Sequence, residues 1–149
     1  MEAAQKLAYQ YHSIVNKNTH NERHWFIARD RSYHGATLGA LDVSGHKGRK
    51  AMYKPILPNN TTFISPCYPY RDMQEGESVT QYVERLAEEL DSKICELGSN
   101  TVAGFVMEPV VGAVSCSFLF TTPWLLSHEL TSFSRHSVAF RHCLAILRP

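Results

Sequence analysis

Tyr33, His34 and Gly35 stand side by side in RSYHGATLG (31–39), at the junction between a strand-like run and a helix-like one. A residue needed only to close a turn could be Asn, Asp or Gly, whereas a Tyr followed by a His is bulky, flat and costly to leave in water. Such a ring could stack on a ring-shaped ligand for ~1 kcal/mol beyond the area it buries. Gly35 would let backbone approach closely. The same Tyr and His could instead be packed under a loop. The second candidate is Glu108, which ends the apolar run TVAGFVMEPVV (101–111). A carboxylate there must find a cation or a hydrogen-bond donor to offset its desolvation, either in a buried ion pair or in a site.

Other chemistry-bearing residues fit known patterns less well. SGHKGRK (44–50) resembles a phosphate loop, but its glycines are wrongly spaced and no Ser or Thr follows the lysine, so it reads as a solvated basic loop. Cys116, His128, His136, His142 and Cys143 lack the spacing of a metal site, and no metal is expected. No Ser-His-Asp or Cys-His order can be singled out.

The elements that must position Tyr33 and Glu108 follow from periodicity. Residues 1–15, MEAAQKLAYQYHSIV, place Ala4, Leu7, Ala8, Tyr11, Ile14 and Val15 on one stripe at the spacing of an amphipathic helix. NKNTHNER (16–23) is a polar loop, HWFIAR (24–29) a short buried strand, and residues 36–43 a short helix stopping at Gly45. A basic, proline-punctuated connection then leads to a second strand, TTFISP (61–66). The clearest helix spans 78–97. Ser78 and Gln81 form a capping box, Tyr82, Val83, Leu86, Leu90, Ile94 and Leu97 form the buried face, and Gly98 supplies the left-handed stop. The continuous apolar run 101–111 is a third strand. Apolar strands alternating with amphipathic helices predict an α/β fold with a parallel sheet covered on both faces. In open sheets of this kind ligands bind at the carboxyl ends of the strands, where both Tyr33 and Glu108 fall.

Composition narrows the partners. In 149 residues, 15 Lys and Arg nearly balance 14 Asp and Glu, so no long-range field points to nucleic acid or an anionic membrane. An apolar share of 44% suits one soluble domain, and no run approaches the ~20 apolar residues of a spanning helix. Cys67, Cys95, Cys116 and Cys143 are widely spaced, which favours a reducing, cytoplasmic compartment over a disulfide framework. Beyond Val114 the chain carries many serines and histidines, no glycine, one acidic residue (Glu129) and no sustained helical or strand period.

EAAQKLAYQYH, FIARDRSYHGATLGALDVSGH, SPCYPYRD, YVERLAEEL and VAGFVMEPVVGA, in this order and at these distances, resemble the large domain of class III pyridoxal-phosphate aminotransferases, of fold type I. The resemblance covers residues 1–113 and is greatest to the branch that acts on ω-amino acids and amines with a keto acid as acceptor. It implies that Tyr33 stacks on the pyridoxal ring, with His34 and Gly35 shaping the same wall, and that Glu108 lies near the cofactor and the substrate carboxylate pocket. The protonated pyridine of that cofactor acts as an electron sink for the carbanion formed when an α-proton is lost. In the full-length family a homodimer is expected.

The same resemblance implies missing parts. The family's Gly-Ser phosphate-binding turn precedes the helix that here starts at Met1. The aspartate that holds the pyridine nitrogen should follow EPVVGA, yet residues 109–149 contain no aspartate, and none of Lys6, Lys17, Lys47, Lys50, Lys54 or Lys93 matches the Schiff-base lysine. The expectation is an internal piece of a transaminase large domain, not catalytic alone, with a divergent and disordered segment at 114–149 such as a shifted reading frame or retained intron would produce. The alternative is a non-catalytic protein that pairs with a full-length transaminase.

Overall fold

Three strand-forming runs from the first 108 residues lie side by side in one parallel sheet. The computed structural model describes residues 1–15, 22–108 and 144–147, the last of these as backbone. In chain order the elements are α1 (Glu2–Val15), β1 (Trp25–Arg29), α2 (Leu38–Asp42), α3 (Lys47–Lys50), a 3-10 turn (Lys54–Ile56), β2 (Thr61–Ile64), α4 (Pro69–Asp72), α5 (Val79–Leu97), β3 (Val102–Met107) and β4 (Leu144–Leu147). The strand order is β2-β1-β3-β4, with every pairing parallel. The α/β expectation therefore holds.

The apolar strands are continuous because both faces of the sheet are covered. On one face α5 packs Ala87, Leu90 and Ile94 against Ile27, Ile64, Val102, Phe105 and Met107. On the other, Ala8 and Val43 meet Phe26, Ala28, Ala103 and Val106. Trp25 and Phe26 pair with Val102 and Gly104, so Ala103 is an extra residue in β3. That bulge shifts the alternation by one, which places Ala103 on the same side as Val106.

Helix α5 forms as its sequence requires. Ser78 Oγ accepts from the Gln81 N–H, the Gln81 side chain returns to the Ser78 N–H, and Gly98 ends the helix at φ 88°. Tyr82, Val83, Leu86, Leu90 and Ile94 are buried, and Leu97 is partly so. Each such side chain contributes about 1.5–3 kcal/mol by leaving water.

Helix α1 corrects its expected face. Ala8 is buried and Ala4 partly so, but the other buried residues are Gln5 and His12, whereas Leu7 is 64%, Tyr11 52%, Ile14 55% and Val15 59% exposed. Small side chains let the helix lie close to the sheet, and His12 Nε2 donates to the Ala103 carbonyl at 2.9 Å. That carbonyl sits at the bulge and gains a partner there. The periodicity found the helix but not the face that turns inward.

A second difference lies in the tail. No strand period is visible past Val114, yet Leu144–Leu147 pairs with Gly104–Met107 as β4. Four apolar residues suffice because β3 presents a row of otherwise unpaired backbone groups. Cys116, His128, His136, His142, Cys143 and the rest of 109–143 lie outside the described residues, as do 16–21 and 148–149.

Candidate functional site

Strands β1 and β3 are neighbours and parallel, so the segments leaving their carboxyl ends emerge together. The loop after β1 carries Tyr33, His34 and Gly35, and the residue after β3 is Glu108. The Tyr33 main-chain N–H donates to Glu108 Oε2 at 3.4 Å. Seventy-five positions apart in sequence, the two candidates meet. Glu108 thus finds a donor at the strand ends, as a carboxylate in an apolar run must.

The loop is held by its own small polar residues. Ser32 Oγ donates to the Arg29 carbonyl at 2.7 Å and accepts from the Gly45 N–H, while the His34 N–H donates to Ser44 Oγ, itself bonded to the Ala40 carbonyl. His34 is buried beneath the loop and Tyr33 is half-buried beside it. Gly35 has φ 134°, and a Cβ there would come within 3.0 Å of Ala40 Cβ. At Gly45 a Cβ would lie 2.5 Å from the Arg29 carbonyl oxygen, so backbone runs against backbone.

The basic turn is exposed at Lys47, Gly48 and Arg49, as a solvated loop would be, but it forms a short helix with anchored side chains. His46 caps α3 through Nδ1. Lys47 pairs with Asp30 at 3.6 Å. Lys50 Nζ donates to the Asp42 carbonyl at 2.6 Å and lies 4.4 Å over the Phe63 ring. Burial lowers the Lys50 pKa, against the opposing pull of Asp42 and Asp30. Arg49 sets its guanidinium 4.6 Å over the Tyr33 ring. Sequence reasoning missed Ser32, Ser44, Arg49 and the buried Asp42, whose carboxylate takes hydrogen bonds from Thr61 and Asn59. The available signal was the polar pair Asp42 and Ser44 within an apolar stretch, since such groups must be satisfied locally when buried.

Other features lie elsewhere. A cleft of about 480 Å³ opens at the opposite end of the strands, between Glu2, Gln5, Lys6, Tyr9, Phe26 and Pro58. Among the described residues no group of three His, Cys, Asp or Glu could hold a metal, and no helix is long and apolar enough to cross a membrane. Among the described lysines, Lys47, Lys50 and Lys93 are engaged by Asp30, Asp42 and Glu96, Lys6 lines the distant cleft, and Lys54 is exposed.

Adjacent parallel strand ends, a glycine-bearing aromatic loop and a strand-end carboxylate define a fold type shared with known enzymes. The family model for class III aminotransferases matches residues 1–123, and the chain belongs to that family. It is 46% identical over 114 residues to an aminotransferase of Gibberella zeae, covering 76% of this chain and 22% of that one. It is 35% identical to the uncharacterized aminotransferase YodT of Bacillus subtilis, over 94% of this chain and 30% of the relative. Among solved structures, a transaminase with L-ala superposes with TM-score 0.78 at 26% identity, over 98% of this chain and 31% of that one. The omega transaminase of Pseudomonas jessenii in complex with PMP shares the fold at TM-score 0.79 and 24% identity, over 98% and 30%. The chain thus spans about a fifth to a third of the proteins it matches. Class III aminotransferases depend on pyridoxal phosphate.

Proposed function

We propose that this chain supplies the ring wall and the strand-end carboxylate of a pyridoxal-phosphate transaminase that moves an amino group from an ω-amino acid or amine to a keto acid. The observation that carries this reading is the hydrogen bond between the Tyr33 main chain and Glu108, which brings both candidates to the carboxyl ends of two adjacent strands. The residues present fit such a ring. Tyr33 offers a half-buried aromatic ring at the strand ends, with the Arg49 guanidinium 4.6 Å from its centroid.

Bound there, the cofactor would supply an electron sink for the carbanion left when a substrate loses its α-proton. The chain's own residues do the holding. Tyr33 stacks against the ring, Gly35 keeps the loop in a conformation that a side chain would strain, and buried His34 anchors the loop from beneath. Glu108 places negative charge beside this wall. The described lysines are engaged elsewhere or exposed, which supports a reading in which this chain alone does not complete the reaction.

The exposed stripe of Leu7, Tyr11, Ile14 and Val15 on α1 favours the second reading, in which the chain pairs with a full-length class III transaminase in the cytoplasm. Co-purification with such an enzyme, lost on Leu7→Asp, would support it.

Binding of 4-deoxypyridoxine phosphate, which cannot form lysine adducts, tests the main reading. Tyr33→Ala is expected to weaken binding while Tyr33→Phe largely preserves it, because stacking needs the ring and not the hydroxyl. Equal losses would remove the stacking role. Borohydride reduction with pyridoxal phosphate should mark lysines without preference, and one dominant modified lysine would refute the claim that the chain lacks a catalytic anchor.

A further inference from the structure

The cleft at the amino ends of the strands carries polar groups that the fold leaves unused. Gln5 is only 9% exposed, yet it lines this cleft of about 480 Å³. Its Nε2 donates to the Gly39 carbonyl at 3.3 Å, and among the described residues its Oε1 takes no hydrogen bond. Asn60, just before β2, is similar: Nδ2 donates to the His24 carbonyl at 2.9 Å, and Oδ1 takes no hydrogen bond among those residues. A buried amide oxygen without a donor costs free energy that a ligand N–H would recover.

A glycine makes room for this arrangement. Gly39 lies in α2, where alanine would favour the helix more, and no left-handed φ calls for glycine there. A Cβ at this position would sit 2.8 Å from Gln5 Oε1 and 3.1 Å from Glu2 Cγ. Glu2 and Lys6, one turn apart on α1, are exposed and both line the cleft, and among the described residues neither forms an ion pair. The apolar part of the wall is Phe26, Pro58 and the Tyr9 ring. One carboxylate, one ammonium, two amide acceptors and an apolar wall thus share a space of the size that takes small molecules.

We infer that this cleft is a binding site for a free, zwitterionic amino acid with an apolar side chain, separate from the Tyr33 wall. Glu2 and Gln5 Oε1 accept from the α-ammonium, Lys6 donates to the α-carboxylate, and the side chain lies against Phe26, Tyr9 and Pro58. Opposite charges on one helical turn suit a ligand that carries its own two charges on one carbon. A purely cationic or purely anionic ligand would leave one of the two protein charges unanswered. The cleft opens at the far end of the strands, so the inference stands or falls apart from the ring-wall reading.

The full 149-residue chain, titrated with L-phenylalanine and with its two singly charged analogues, phenethylamine and hydrocinnamate, tests the site through dissociation constants and the Gln5 side-chain amide resonance. L-phenylalanine is expected to bind roughly tenfold tighter than either analogue, as one charge-assisted hydrogen bond implies. Glu2→Gln should weaken L-phenylalanine and phenethylamine several-fold and leave hydrocinnamate unchanged. Lys6→Met should weaken L-phenylalanine and hydrocinnamate and leave phenethylamine unchanged. Both side chains are exposed on α1, so neither variant disturbs the core. The inference is overturned by an absence of saturable L-phenylalanine binding, by equal affinity for all three ligands, by unchanged L-phenylalanine binding in Glu2→Gln and Lys6→Met, or by a Gln5 amide that does not shift. Loss of L-phenylalanine binding in Tyr33→Ala would place the ligand at the other end of the strands and overturn it as well.

Discussion

Helices α1 and α5 cover opposite faces of one sheet, and both show apolar residues at helical spacing, yet only α5 buries the stripe that spacing marks. Tyr82, Leu86, Leu90 and Ile94 of α5 are at most 1% exposed, whereas Leu7, Tyr11, Ile14 and Val15 of α1 all exceed 50%. The difference lies in what each helix meets. Helix α5 packs on Ile27, Ile64 and Phe105, large side chains that leave room for leucines to interdigitate. Helix α1 meets Ala28, Ala103 and Val106, where close approach suits Ala4 and Ala8, and where a bulge carbonyl takes the His12 donor. An apolar stripe therefore identifies a surface that avoids water, but not which neighbour covers it.

The strongest break of this comparison is a matched pair of charges. Leu86→Asp buries an unpaired carboxylate and should cost several kcal/mol, comparable with the roughly 5–15 kcal/mol that holds a domain folded. Leu7→Asp should change stability by less than about 0.5 kcal/mol. Thermal or denaturant unfolding of the two variants decides it, and a large loss at Leu7 would show that the outer face of α1 is covered within this chain.

His12 sharpens the comparison, because it gives α1 a buried polar hold on a strand carbonyl. His12→Ala leaves the buried Ala103 carbonyl without its partner and should cost about 1–3 kcal/mol. Desolvation lowers the His12 pKa from 6.5, with Arg23 adding to that and the Ala103 bond opposing it. The folded state therefore binds the proton less readily than the unfolded state does. The resulting contribution is complete above pH 6.5 and is lost as pH falls below it toward the lowered folded value. Urea midpoints measured from pH 8 to pH 5 should fall more steeply for the parent than for His12→Ala, and parallel profiles would remove His12 as the cause.

A smaller effect is expected at the start of α5. Ser78→Ala removes the capping-box acceptor and should cost about 1 kcal/mol. An unchanged unfolding midpoint would mean that packing alone sets this end. The smallest effect belongs to Ile14→Ser, which should leave the chain's stability within about 0.5 kcal/mol while improving its solubility, as light scattering would show.

The sequence by itself determined the elements that depend on local chemistry. The box of Ser78 and Gln81, the stop at Gly98 and the continuous apolar runs of β1 and β3 follow from neighbours within a few positions, so helix α5 and the parallel α/β class were legible. The family motifs also marked Tyr33, His34, Gly35 and Glu108 before any fold was known. Tertiary structure decided everything that depends on distant neighbours. Which face of α1 turns inward, the pairing of Leu144–Leu147 with β3 and the seat of Arg49 over Tyr33 each depend on a surface made elsewhere in the chain. A periodic pattern records how a side chain relates to water. It carries no record of the shape, the size or the unpaired carbonyls of the element that comes to meet it.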